Sequence, residues 1–295
     1  MSTATELDEI HFSNWLTLIG FMGEEQGLNH VKSQGFEIKD ESEWRSKVRN
    51  AATFAAGLTG RVNPRPEVKE LGEQFEGRFK MLREEPTFQE HMVGMKVEKF
   101  ALVELASLRC FQIQLNSEYL DSLMKAAPTS DDFEATVRFC LPTKDERQKT
   151  PMLASVNPAS NTFTAVTENL DLRIVGNVQG EDPSTGRKFS GYAYGFGLPQ
   201  ISVVEYKGIL ILKNGYHRAY SLYKKGHKYL PCLFLSTDGF QFTGAQAPGF
   251  FTVDAITSPN GPILSDFDSK AAMMIPRRRL RVMVTVHAEI QVVPV

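Results

Sequence analysis

The chain has 295 residues and a mass of 33.1 kDa, which is enough material for one elaborated domain or for two. Its hydrophobic content of 42% and charged content of 23% are those of an ordinary globular protein, and it has no internal repeat, heptad array or low-complexity tail. The net charge of −2 excludes a global field that would draw the chain to nucleic acid or acidic membranes, so any such contact needs a local patch.

The cysteines and the N-terminus indicate the cellular compartment. Cys110, Cys140 and Cys232 are an odd number in apolar contexts without the spacing of a metal site, which favours a reducing environment. The first residues are acidic where a secretory signal would be basic, and the apolar run from Trp15 to Met22 is too short to span a bilayer. We therefore expect a soluble, cytoplasmic protein with no membrane partner and no metal site.

Residues 1–98 are expected to form a helical N-terminal region. Two amphipathic patterns and a proline at a first-turn position mark three helices. The apolar faces comprise Trp15, Leu16, Leu18, Ile19 and Met22 in the first helix and Trp44, Val48, Ala51, Ala52 and Ala55 in the second, and Pro66 opens the third. The region has neither a Gly-rich phosphate loop nor a histidine pair at ligand spacing, so its expected role is structural or the binding of a protein partner.

Three later segments have recognisable patterns. Residues 170–196 predict a β-hairpin around a Pro-Ser-Thr-Gly loop that ends at Gly186. Residues 237–275 are rich in Gly, Pro, Ser and Phe and predict a long loop with short strands. Residues 280–292 alternate apolar and polar side chains, which predicts one half-buried strand.

Residues 199–236 are the most informative stretch of the chain. Two apolar runs, 201–204 and 209–212, are separated by Lys207 and Gly208, a pattern that predicts a β-hairpin with a tight turn. A helix and a further strand are predicted to follow, and the order is therefore strand, turn, strand, helix, strand.

The predicted helix begins abruptly. Gly215 lets the backbone turn into it, and the helix runs to about Lys225 and stops at Gly226. His217 and Arg218 lie in its first turn, where the helix dipole opposes cations by a few tenths to about 1 kcal/mol each. A bound anion would remove this conflict, because free N–H groups, an imidazole and a guanidinium would converge on one phosphate-sized site. The alternative is a plain helix start whose side chains cap the helix or pair with local carboxylates.

Two stretches of the chain resemble the ParB/sulfiredoxin-like superfamily, which includes ParB-like nuclease and nucleotide-binding domains. The second box, residues 214–233, has the glycine, the His-Arg pair, the closing glycine and the Leu-Pro strand of that family at Gly215, His217-Arg218, Gly226 and Leu230-Pro231. The first box, residues 100–124, is a weaker match and resembles the family's opening strand, its loop with a glutamine and its first helix.

The resemblance implies an α+β (α/β) fold. Residues 99–295 would be a ParB/sulfiredoxin-like domain in which 125–198 are an insertion that contains the β-hairpin, with a loop-plus-strand extension at the C-terminal end. Residues 99–124 would form a strand and a helix directly beside the sheet that contains 201–204 and 209–213.

The resemblance also implies a site at the second box, with His217 and Arg218 as the catalytic candidates. Arg218 and the backbone N–H groups of Tyr216 and His217 would stabilise charge on phosphate oxygens, and His217 would donate a proton or act as a second clamp. The candidate phosphate ligands are Asn214, Gly215, Tyr216, Arg109 and Gln112. For Arg109 and Gln112 a plain surface loop is the alternative.

The chain departs from two branches of the family. Sulfiredoxins have a cysteine nucleophile where this chain has Tyr216, which argues against sulfinic-acid reduction. The partition CTPase ParB continues into a helix-turn-helix domain, whereas a loop-rich region follows here. The expected function is binding of a nucleotide, with Mg²⁺ as a candidate cofactor, or of a nucleic-acid phosphate, and phosphotransferase or nuclease chemistry are the candidate reactions. The alternative, favoured by the missing acidic base, is a non-catalytic interaction or ligand-sensing protein with a degenerate pocket.

Two further basic clusters have open alternatives. Tyrosines and lysines alternate around the predicted helix between Tyr216 and Tyr229, which suits base stacking, although tyrosines at helical spacing are also typical of a core. The run from Pro276 to Arg281 either binds phosphate or discourages pairing at an edge strand.

Overall fold

The computed structural model divides the chain into two compact units. Unit 1 comprises Met1–Arg147 and Leu198–Arg278, and unit 2 comprises Gln148–Gly197 and Arg279–Val295. The residues that the structure describes are 11–60, 66–85, 88, 92–147, 151–169, 172–196, 199–245 and 249–287. These units differ from the predicted division, which placed its boundary between residues 98 and 99.

Helices and sheets both contribute, which confirms the predicted α+β class. Within the described residues the helices are α1 Glu24–Lys32, α2 Glu41–Ala56, α3 Glu76–Arg83, α4 Ser117–Ala126, α5 Phe133–Cys140, α6 Tyr216–Lys224 and α7 Val253–Thr257. The strands are β1 Phe12–Thr17, β2 Val68–Glu70, β3 Val97–Glu104, β4 Gln114–Asn116, β5 Leu153–Asn157, β6 Thr162–Thr167, β7 Arg173–Glu181, β8 Lys188–Gly195, β9 Ser202–Tyr206, β10 Ile209–Asn214, β11 Tyr229–Ser236, β12 Met273–Arg278 and β13 Val282–His287.

A five-stranded sheet with the order β10-β9-β11-β3-β2 forms the centre of unit 1. The strand β11 pairs antiparallel with β3 and parallel with β9. The helix α6 connects β10 to β11, and α4 packs against α6. The strand and helix expected in residues 99–124 are therefore present as β3 and α4, in the same unit as the β9–β10 hairpin.

The turn of the β9–β10 hairpin has the conformation that its sequence predicts. Lys207 and Gly208 both have positive φ angles, +51° and +78°. Two consecutive left-handed residues make a turn whose twist matches that of the flanking strands, and glycine meets the requirement without strain. The predicted hairpin is confirmed.

Residues 12–17 form β1 rather than a helix, so this part of the predicted helical N-terminal region is wrong. The strand pairs antiparallel with β12 and with β4 in a three-stranded sheet of order β12-β1-β4. The spacing of the apolar residues from Trp15 onward fits a helix. The strand β12, however, comes from the far end of the chain, and a local sequence pattern gives no sign of a partner so distant. The first helix, α1, begins only at Glu24.

The other two predicted N-terminal helices have different outcomes. The helix α2 is present, and it buries Val48, Ala51 and Ala55 while Asp40 caps its first turn. Residues 68–70, however, form the edge strand β2, and the helix expected to open at Pro66 begins only at Glu76.

Unit 2 contains the three-stranded sheet β13-β6-β5 and the hairpin β7–β8. The hairpin confirms the prediction for the described part of 170–196, and Asp182 accepts hydrogen bonds in its turn from Ser184 N at 2.9 Å and Thr185 Oγ1 at 2.8 Å. The strand β13 confirms the first part of the predicted C-terminal strand, of which residues 288–292 lie outside the described residues.

Gly215 is the position where an added side chain should cost most. Its φ is +91°, and a Cβ there would lie 2.6 Å from Cγ1 of the buried Ile201. We expect Gly215→Ala to reduce the free energy of unfolding by about 2–4 kcal/mol through backbone strain and overpacking together. Chemical denaturation followed by circular dichroism measures the change.

Gly208→Ala is the matched control, because Gly208 also has a positive φ, +78°, but open space around its Cα. It should show the strain component alone, about 1 kcal/mol. Equal losses for both variants would contradict the close packing of Gly215 on Ile201.

Candidate functional site

The second box forms the strand, glycine turn and helix that its sequence predicts. The strand β10 ends at Asn214, Gly215 is left-handed, and α6 begins at Tyr216. The helix ends before Gly226, which has a φ of +82°, and β11 follows. His217 and Arg218 therefore lie in the first turn of a helix, as predicted.

The guanidinium of Arg218 binds main-chain carbonyl groups. Its Nη1 donates to the carbonyl oxygen of Phe139 at 3.0 Å and to that of Cys140 at 3.4 Å, and its Nη2 donates to the carbonyl of Pro199. Burial lowers the pKa of Arg218 from its usual value. The carbonyls of Phe139 and Cys140 belong to the last turn of α5, where helical carbonyls lack intrahelical partners.

This arrangement offsets the electrostatic conflict at the start of α6. The C-terminal end of a helix has a partial negative charge and favours a cation. Arg218 therefore lies between the positive end of α6 and the negative end of α5. The carbonyls at the end of α5 thus supply a partial negative charge next to the Arg218 cation.

His217 is a hydrogen-bond acceptor in this structure. Its Nε2 accepts from the backbone N–H of Asn116 at 2.9 Å, and its ring lies 5.1 Å from that of Tyr119, centroid to centroid. Burial lowers the pKa of His217 to about 4. An imidazole that accepts at Nε2 is neutral there, so any proton that it donates must come from Nδ1.

The side chain of Tyr216 belongs to the core. It is 3% exposed, its hydroxyl accepts from the backbone N–H of Phe111 at 3.0 Å and donates to the carbonyl of Leu212, and its ring packs edge-on against Phe111. Burial raises the pKa of Tyr216. Only its backbone N–H at the helix start remains a candidate ligand group.

Arg109 lies next to β10 but binds a different set of carbonyls. The side chain is 4% exposed, and it donates to the carbonyls of Ser258 and Pro259, both at 3.0 Å, and of Gly261. These residues follow the C-terminal end of α7. The two boxes, distant in sequence, are therefore neighbours in the fold. The guanidinium groups of Arg109 and Arg218 bind carbonyls of different segments.

The remaining predicted ligands also have main-chain partners. Gln112 donates from Nε2 to the carbonyl of Gln114 at 2.7 Å, and Asn214 donates from Nδ2 to the carbonyl of Gln200 at 2.9 Å. The predicted site residues are close in the fold, and their polar side chains stabilise loops.

Asn116 is a site residue that the sequence reasoning missed. It presents its N–H to His217, and its Oδ1 accepts from the N–H of Tyr119 at 2.9 Å, which caps α4. The helix starts of α4 and α6 are therefore neighbours. An asparagine before an amphipathic helix is a recognisable cap signal, but its pairing with the second box is a tertiary contact.

A surface groove of about 490 Å³ lies elsewhere in unit 1. It is lined by Gln74, Phe75, Arg78, Phe133, Glu134 and Arg138. Arg78 pairs with Glu146 and Arg138 pairs with Glu134, so the charges that line the groove are balanced within the protein. No sequence pattern indicated this groove.

Within the described ranges, no three His, Cys, Asp or Glu side chains are grouped as a metal site. Cys110, Cys140 and Cys232 are buried and not in disulfides. No helix in the described part of the chain is long and apolar enough to cross a membrane.

Comparison with known proteins gives no relative: no family model matches the chain, and no curated protein or solved structure matches it. The likeness to the ParB/sulfiredoxin-like superfamily therefore stays a prediction from the sequence.

The half-buried, neutral His217 should make unfolding pH-dependent. An unfolded histidine titrates near 6.5 and His217 near 4 in the folded protein, so between these values the unfolded state binds a proton that the native state does not. Stability should therefore fall as the pH drops from about 6.5 to about 4, with a contribution from His217 on the order of 2 kcal/mol. His217→Gln should reduce this dependence in denaturation curves measured across the window.

His30 provides the comparison. Burial and the charge of Arg277 lower the pKa of His30 to about 4, so His30→Gln should remove a second share of the dependence in the same window. A pH profile of His217→Gln identical to that of the wild type would contradict the lowered pKa of the His217 imidazole.

Proposed function

We propose that the chain is a non-catalytic interaction protein in which the second box is a structural helix start. The observation that carries this proposal is the engagement of Arg218 with the carbonyls of Phe139, Cys140 and Pro199. All three lie in or beside the stretch between the two boxes. The stretch between the two boxes, with the residue that follows it, therefore supplies the hydrogen-bond acceptors that phosphate oxygens would supply at a phosphate site.

The other side chains that were predicted to bind phosphate support the same proposal. The terminal nitrogens of Arg109 donate to carbonyls after α7, and the Nε2 of His217 accepts a hydrogen bond from the backbone N–H of Asn116. A phosphate clamp needs unengaged donors, because moving the half-buried guanidinium of Arg218 gives up charge-assisted hydrogen bonds worth about 1.5–3 kcal/mol each.

Exposed apolar side chains favour unit 2 as the interacting part. Seven of the fourteen large apolar side chains that are exposed in the described residues lie in unit 2, although it has far fewer residues than unit 1. They are Leu153, Val156, Ile174, Val178, Tyr192, Leu280 and Met283. Concentrated apolar exposure is typical of protein-binding surfaces. This shifts the proposed partner surface away from residues 1–98.

Binding of a nucleotide or nucleic-acid phosphate is the second candidate, favoured by one observation. The N-terminal ends of α4 and α6 are neighbours, joined by the 2.9 Å bond between Asn116 N and His217 Nε2. Two adjacent helix starts attract anions through their free N–H groups. In that function Mg²⁺ would be supplied with the nucleotide.

Arg218→Ala separates the two candidates. If Arg218 is structural, the substitution should lower the melting temperature by several degrees, because it removes about 2–4 kcal/mol of charge-assisted hydrogen bonding at the end of α5. Arg218→Lys should restore only part of this, since one ammonium cannot reproduce a planar fork. Thermal melts with and without inorganic phosphate, and with nucleoside mono-, di- and triphosphates plus Mg²⁺, measure both stability and binding.

Arg138→Ala is the matched control, because its side chain is 56% exposed and pairs with Glu134 on the same helix. Its effect should stay within about 0.5 kcal/mol. A nucleotide that stabilises the wild type by about 2.7 kcal/mol at a hundred times its dissociation constant, combined with an Arg218→Ala variant of unchanged melting temperature and lost binding, would favour the phosphate site instead.

A further inference from the structure

The strand β5 is the most exposed apolar element in the described residues. All five of its residues are exposed, and Leu153 at 78% and Val156 at 69% have the highest exposed fractions among the large apolar side chains. It lies at the edge of the sheet β13-β6-β5 and pairs with β6 on one side. No strand in the described part of the chain pairs with its other side, which presents backbone N–H and C=O groups at an edge.

The residues of β5 themselves offer no charge or proline that would discourage pairing at this edge. Proteins protect edge strands with charges, proline or bulges. The edge strand β12 contains Pro276, Arg277 and Arg278, and the edge strand β2 contains Lys69 and Glu70. The strand β5, Leu-Ala-Ser-Val-Asn, has neither a charge nor a proline.

The uncharged sequence of β5 is compatible with itself across a twofold axis. Antiparallel pairing of two copies about Ser155 puts each Ala154 opposite a second Val156 and each Leu153 opposite a second Asn157. The residue on the axis faces its own copy, so a charge there would repel itself, and serine does not. Closed twofold dimers are the commonest assembly of identical chains.

We infer that β5 binds a second copy of this chain by antiparallel edge pairing about Ser155, which joins two three-stranded sheets into one of six strands. The inference rests on the proposed interaction function and names its partner. Recognition comes from main-chain hydrogen bonds, and selectivity comes from the apolar and uncharged side chains on both faces. Five paired residues make a small interface, so the dimer should form at protein concentrations on the order of 10–100 µM.

The test uses the full chain in sedimentation equilibrium across this concentration range. The wild type should show a reversible monomer–dimer equilibrium, and Ser155→Lys should raise its dissociation constant at least about tenfold, because two lysines would face each other on the axis. Val178→Lys is the matched control, since Val178 is an exposed apolar residue on the hairpin of the same unit, and it should dimerise like the wild type. A wild type that is monomeric throughout, or equal effects of the two lysine variants, would overturn the inference.

Ser155→Cys gives a second readout that tolerates a weak dimer. Opposed residues in an antiparallel pair have Cα atoms about 4.5–5.5 Å apart, within the range that a disulfide needs, so mild oxidation should join two chains at this position. Two thiols lose two electrons and two protons to the oxidant as the S–S bond forms. The native cysteines are all buried and should not interfere. Thr285→Cys on β13 is the control, and cross-linking there but not at residue 155 would refute the stated register.

If the dimer does not form, the Arg218 variants still test the proposed function. The thermal melts of Arg218→Ala involve unit 1, whereas the edge variants lie in unit 2. The two sets of measurements therefore fail separately.

Discussion

The bonds from Arg218 to main-chain carbonyls are the interaction on which the arrangement of unit 1 around the second box depends. They link the first turn of α6 to the end of α5 and to Pro199, just before β9. The chain leaves unit 1 after Arg147 and returns at Leu198. One side chain therefore holds the segment that precedes the departure and the segment that follows the return, which are distant in sequence and adjacent in the fold.

The sequence predicts that the cation at the start of α6 needs a compensating negative group, but it does not predict which group supplies it. A cation in the first turn of a helix does need a compensating negative group, and the dipole argument identified that need at His217 and Arg218. The compensation at Arg218 comes from the carbonyl end of α5, a helix formed about eighty residues earlier in the chain. Tertiary packing alone decides whether the compensating negative group is an anionic ligand or the partial negative charge at the end of another helix.

The same division between local and distant causes separates the predictions that succeeded from those that failed. The hairpin at Lys207 and Gly208 and the helix start at Gly215 are fixed by glycine conformations within a few residues, and both were predictable. The strand β1 depends on β12, and its apolar spacing fits a helix equally well until that partner is known. Arg109 lies beside β10, and its guanidinium donates to the carbonyls after α7, a contact that no spacing rule encodes.

The bonds that the Arg218 guanidinium already makes to carbonyls affect how an anion could bind at the start of α6. A guanidinium has five N–H donors, and the two terminal nitrogens of Arg218 make three bonds, to the carbonyls of Phe139, Cys140 and Pro199. A phosphate that recruited the terminal nitrogens of Arg218 would compete with these carbonyls and would weaken the bonds to the end of α5 and to Pro199. A phosphate held only by the N–H groups of α6 would leave them in place. A ligand bound through the terminal nitrogens of Arg218 and the carbonyls of Phe139, Cys140 and Pro199 would therefore compete for the same donors.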